Sequence, residues 1–152
     1  MIFGVVLGFL WGTLLEWFIH QYILHELAKR GSFSFHLDHH RICSKSRGKD
    51  HEYRLWWWSK DSRIKEVVAL AGLVVLHVPL LFLGLLPFFL GSAAFAVTYY
   101  TVHKKAHLDP DWGWRWTPWH MEHHMIDARR NMGIVTPVWD WVFGTLIAGR
   151  RR

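Results

Sequence analysis

Twelve histidines stand in this chain of 152 residues, and ten of them fall into four short clusters. The densest stretch runs from His103 to His124 and reads H-K-K-A-H-L-D-P-D-W-G-W-R-W-T-P-W-H-M-E-H-H. His103 and His107 are four apart, so on a helix both rings leave one face. His120, His123 and His124 follow an i, i+3, i+4 spacing, which again gathers three rings on one face. The first half of the chain repeats the theme with His20 and His25, then with His36, His39 and His40. Imidazole nitrogen is a good ligand for zinc, copper, iron and nickel, and ten converging rings exceed what a single ion can use. Two metals are implied.

His20 and His25 differ from the other clusters. Five residues amount to about 140° on an ideal helix, so these two rings diverge. Either the helix distorts there or the two histidines serve different metals, and the second is the expectation. Two carboxylates stand one turn from a candidate ligand: Glu16 before His20 and Asp127 after His123. Each could accept the second N–H of a ligating ring and fix its tautomer. For Glu16 the competing reading is an ordinary interfacial carboxylate. His51 lies outside the pattern and reads as a solvated surface residue. His77, in an apolar stretch, reads as a hydrogen-bonded histidine between helices, although a polar group at that depth invites a functional reading.

The elements that position these rings follow from charge and hydropathy. The formal net charge is +6, yet half of the residues are apolar. All eighteen Lys and Arg fall in 29–65 and 104–152. That segregation is the positive-inside pattern of a membrane protein, with both basic segments on the cytoplasmic side. A soluble nucleic-acid binder would share the high charge but not the uncharged apolar runs, so no nucleic-acid partner is expected. The single Cys43 excludes an internal disulfide and fits a structural thiol.

Residues 2–22 suit one spanning helix with no removable signal peptide. Gly4, Gly8 and Gly12 give it a stripe for close packing, against the chain's own helices or, alternatively, in a homodimer. Residues 67–102 hold no Asp, Glu, Lys or Arg. At roughly 1.5 Å per residue they are too long for one crossing of a core of about 30 Å. Two spans, 67–83 and 87–103, joined by a turn at Gly84 and Pro87, fit better. Pro79 is expected to kink the first of them. The hairpin returns the chain to the side it left, so the third cluster lands beside the first two. The cap is then 26–63 and 104–152, broken at Gly31 and R-G-K-D, with Trp56, Trp57 and Trp58 anchoring at headgroup level. Thr117 and Pro118 start the helix of the fourth cluster, which is expected to run to about Arg130. T-P-V-W-D-W-V-F-G forms a short amphipathic helix, and the G-R-R-R terminus a basic tail near anionic lipid. The fold class is an all-α integral membrane protein of about three spans, folded as one domain over 1–152.

The four clusters H-Q-Y-I-L-H, H-L-D-H-H, H-K-K-A-H and H-M-E-H-H, in that order, resemble those of the integral-membrane fatty acid hydroxylase and sterol desaturase superfamily. The segment N-M-G-I-V-T-P-V-W-D-W-V-F-G-T resembles its C-terminal signature. The likeness covers nearly the whole chain. It implies a non-haem di-iron centre on the cytoplasmic face, ligated by His20, His25, His36, His39, His40, His103, His107, His120, His123 and His124, with some of these in an outer shell. It also implies that O2 and two electrons are used to hydroxylate or desaturate a C–H bond of a membrane lipid, such as an acyl chain or a sterol-like substrate. Zinc can replace the irons in purified samples. No haem-binding segment is fused, so a separate cytochrome b5-like protein or ferredoxin with its reductase is expected as donor. Relatives carry a further span before the first cluster, so a second copy could complete the wall around the substrate. A carotenoid hydroxylase of the same superfamily is one alternative. Another is a histidine-rich membrane metal-binding or transport protein, but a transporter's ligands belong near the midplane, where only His77 lies. A b-type haem carrier leaves adjacent pairs such as His39–His40 unexplained.

Overall fold

The computed structural model describes residues 1–27, 34–55 and 64–147. Gly31, Trp56, Trp57, Trp58 and the basic terminus lie outside them. Every element among the described residues is helical. Helix α1 spans Ile2–Phe18 and continues as a π-helical segment over Ile19–Leu27. Helix α2 (Ser34–Lys45) follows, then a 3-10 turn over His51–Arg54 whose first N–H groups are capped by Asp50, with Glu52 N donating to its Oδ1. Helices α3 (Ile64–Leu76), α4 (Pro79–Phe82) and α5 (Leu86–Leu108) come next. Helices α6 (Pro110–Trp116), α7 (Pro118–Met125) and α8 (Val138–Val142) complete the chain.

Two helical stretches are long and apolar enough to cross a membrane, Ile2–Leu27 and Ile64–Phe82. Proline punctuates the second. Pro79 cannot donate to the preceding turn, and α3 gives way to α4 through tighter i to i−3 bonds at His77 and Val78. The chain reverses at Gly84, whose φ of 72° is open to glycine at little cost. Helix α5 then runs back, parallel to α1. The glycine stripe makes this close approach possible: a Cβ on Gly8 would lie 2.0 Å from the carbonyl oxygen of Phe88, and one on Gly91 2.1 Å from that of Val5. Gly12 receives the ring of Phe95. The stripe is thus filled from within the chain, the first of the two packings its spacing allows.

His77 sits between the spans as expected, its Nδ1–H donating to the Leu73 carbonyl and its Nε2 accepting from Trp11 Nε1 at 2.9 Å. His51 is exposed. Helix α7 stops at Met125, short of the expected Arg130, and the Thr117 hydroxyl bonds back to Gly113 O instead of capping α7.

Candidate metal centre

Parallel α1 and α5 carry His20 and His103 to the same level, and α2 and α7 close over them with the remaining rings. The ten clustered histidines converge. His20, His25, His36, His40 and His123 each offer a nitrogen to one group, and His39, His103, His107 and His124 to a second. His120 joins the second through His107, their Nε2 atoms 2.9 Å apart. The division cuts across the sequence clusters. Helix α2 sends His36 and His40 to the first group and His39 to the second, while α7 sends His120 and His124 to the second and His123 to the first. Each group so receives five rings, and the stacked pair His40 and His124, 4.2 Å between centroids, joins them.

His20 and His25 belong to the same group, contrary to the expectation of different metals. The reason is the winding. In the π-helical segment hydrogen bonds close one residue later, so residues five apart share a face. Their ring centroids are 5.0 Å apart.

The rings are aimed by bonds to their outer nitrogens. His20 Nδ1 lies 2.6 Å from Met132 O, His107 Nδ1 2.7 Å from Gly48 O, and His123 Nδ1 2.6 Å from Arg130 O. His39 Nδ1 lies 2.6 Å from Asp50 Oδ2. His103 Nδ1 lies 2.5 Å from Glu66 Oε1, and Tyr53 donates its hydroxyl proton to Glu66 Oε2. A carbonyl only accepts, so the first three rings carry their proton on Nδ1 and turn the Nε2 lone pair inward.

Neither carboxylate singled out by spacing does this. Glu16 Oε1 accepts the backbone N–H of Ile134, and Asp127 pairs with Arg129 at the surface. Asp127 lies beyond the last turn of α7, where a four-residue spacing no longer means one face. Glu16 works one step removed. Together with Asp140, which accepts from Met132 N and Gly133 N, it holds the irregular N-M-G-I segment whose Met132 carbonyl orients His20. Asp50, Tyr53, Glu66 and Asp140 were the residues that spacing alone missed. Asp140 had one signal, a charged residue between two tryptophans in an apolar stretch.

Burial, reinforced by the neighbouring imidazoles, holds His36, His120, His123 and His124 far below the usual histidine range, and takes His40 down to about 2. These five rings are therefore held neutral, the protonation state in which imidazole binds metal. The donor set fits cations. Facing Nε2 atoms lie 2.9 Å (His20–His36), 3.1 Å (His25–His36) and 3.2 Å (His40–His123) apart. Nitrogens at right angles about one metal, each at roughly 2.0–2.1 Å, lie about 3 Å apart. His103 Nε2 and both nitrogens of His124 are buried with no hydrogen-bonding partner among the described residues, and an ion bound at one nitrogen of each ring would remove part of that cost. Cys43 is buried with Sγ 3.3 Å from His107 Nδ1, a packing role in keeping with a structural thiol.

The family model described as fatty acid hydroxylase matches residues 5–145. No curated protein and no solved structure matches the chain.

Proposed function

The chain belongs to the fatty acid hydroxylase family, and on that footing we propose that it is an O2-dependent di-iron enzyme of the membrane, hydroxylating or desaturating a C–H bond of a lipid. The observation that carries the reading is the division of ten histidines into two groups of five that share a border. One ion has no use for so many neutral donors; two neighbouring ions do.

Two irons, held by His20, His25, His36, His40 and His123 and by His39, His103, His107, His120 and His124, would supply O2 activation and C–H cleavage. The protein's own contribution is positional. Asp50 and Glu66 orient His39 and His103, and three backbone carbonyls orient His20, His107 and His123. An apolar cavity beside His20 and His103, walled by α1, α3 and α5, keeps water from the reacting carbon. The lipid enters from the bilayer, and electrons come from a separate cytochrome b5-like or ferredoxin-type carrier. In this reading the histidines lie on the cytoplasmic side and α5 is a third span after Ile2–Leu27 and Ile64–Phe82, which the segregation of Lys and Arg supports.

Mass spectrometry of lipid extracts from cells with and without the protein tests this reading. The expected result is one lipid class that gains an oxygen atom or loses two hydrogens, and that reverts when His123→Ala is expressed at equal level. Unchanged lipids, or the same product from His123→Ala, would count against it.

A further inference from the structure

The apolar cavity has a volume of about 90 Å³, and its upper end is imidazole, from His20, His36, His39 and His103. Exposed Ala69 and half-buried Leu70 and Leu73 are in its wall, so it reaches the surface between α1 and α3. A second cavity of about 20 Å³ lies deeper, bordered by Gly12, Val74, His77 and Ser92. Leu70, Leu73 and Phe95 border both. Depth is ordered alike on all three helices. Gly12 precedes His20 on α1, Val74 and His77 follow Glu66 on α3 and its extension, and Ser92 precedes His103 on α5. The second cavity therefore continues the first, away from the histidines, behind a partition of three side chains.

Phe95 is the firmest part of that partition. It is buried at 5% exposure, packed edge-on to Phe9 at 5.7 Å. Its ring sits in the notch at Gly12, where a Cβ would come within 2.4 Å of it. Leu70 and Leu73 stand on the thinly covered α3 and can give way; the phenyl ring has nowhere to go.

We infer that Phe95 is the floor of the cavity that receives the lipid chain, and so sets how many carbons extend past the histidines. This rests on the reading of the site as a lipid oxygenase. The occupant is an alkyl chain, because the wall below the histidines is almost wholly apolar. Glu66 is engaged with Tyr53 and His103, and Glu16 gives Oε1 to Ile134 and leaves one buried oxygen, Oε2, without a partner among the described residues. The first cavity, about 90 Å³, is several times the second, about 20 Å³, so most of the room for a chain lies on the histidine side of Phe95. Removing the Phe95 ring joins the two.

Photolabelling of the purified, detergent-solubilised protein tests the floor without requiring turnover. Palmitate analogues carrying a diazirine at successive carbons are cross-linked, and the labelled residues are read by mass spectrometry in wild type, Phe95→Ala and the milder Phe95→Leu. The expected result is label at upper-cavity residues such as Leu24 and Tyr99 in wild type. In the variants it shifts toward Val74 and Ser92, further in Phe95→Ala. Wild-type label already at Ser92, no label in the cavity, or an unshifted pattern in a variant that retains wild-type iron overturns the proposal. If Phe95→Ala does not fold, Phe95→Leu decides. Label that shifts as expected in a protein that oxidises no lipid leaves the floor standing and sinks the oxygenase reading instead.

Discussion

His39 and His107 face each other with Nε2 atoms 3.2 Å apart, and each turns its other nitrogen outward, to Asp50 Oδ2 and to the carbonyl of Gly48. Each ring's Nδ1 faces an acceptor and so carries its proton, which turns the two Nε2 atoms on each other across this gap. They repel unless a cation lies between them, so the outward bonds of Asp50 and Gly48 prepare the pair for metal. Removing one of those bonds should therefore be felt in metal affinity. Asp50→Asn lets His39 adopt the other tautomer and is expected to weaken metal binding about 10- to 100-fold, the usual size of such effects. Titration with a metal chelator measures it, and affinity equal to wild type would contradict the role given to Asp50.

Asp127→Ala supplies the contrast. Its carboxylate pairs with exposed Arg129 and touches no imidazole. Metal content and melting temperature should both match wild type, since an exposed ion pair is screened by solvent and adds little to stability. A metal-poor variant would restore Asp127 to the site.

Acid should unfold the metal-free protein through its buried rings. Unfolded, a histidine takes up a proton near about 6.5; folded, His40 does so only at about 2, with burial as the main cause. A lowered folded pKa gives stability that is present above the unfolded value and lost as pH falls below it. His36, His120, His123 and His124 act in the same direction. The melting temperature of chelator-treated protein should hold steady above about pH 7 and fall steadily below about pH 6.5. A melting temperature flat down to about pH 5 would mean that these rings are solvated.

Much of this arrangement could be read in the sequence. The histidine spacing, the double-length apolar run and the turn at Gly84 together required that the two halves meet, and they do. His77 fell where a satisfied interhelical histidine belongs. What could not be read are features whose cause lies elsewhere in the chain. Nothing local marks Ile19–Leu27 as π-helical; the winding is repaid only when His20 and His25 reach the same group of rings from other helices. Glu66 and His103 are 37 residues apart, and no periodicity relates them. Asp127 misled because a helical spacing was applied past a helix end.

Between the two long apolar helices, Trp11→Phe removes the indole donor to His77 Nε2 while keeping an aromatic ring. Hydrogen bonds between membrane helices average about 0.6 kcal/mol, so a loss of roughly that size is expected, with iron content unchanged. Unfolding in mixed micelles measures it. A loss of metal instead would tie His77 to the centre.

Close packing of α1 on α5 should be far less forgiving. Gly8→Ala places a methyl group 2.0 Å from the Phe88 carbonyl, and the helices must part to admit it. A cost of about 1–3 kcal/mol is expected for such overpacking. Because His20 and His103 depend on this register, the variant should also bind less iron. Wild-type stability would show that the two helices do not meet at Gly8.

The most direct measurement is the metal content of protein purified with iron supplied, taken with its absorption spectrum. Two non-haem irons per chain and no Soret band are the predicted result, both lost or weakened when His36→Ala in the first group and His107→Ala in the second are combined. A single metal per chain, a haem spectrum, or full iron retained by that double variant would contradict the paired five-histidine centre.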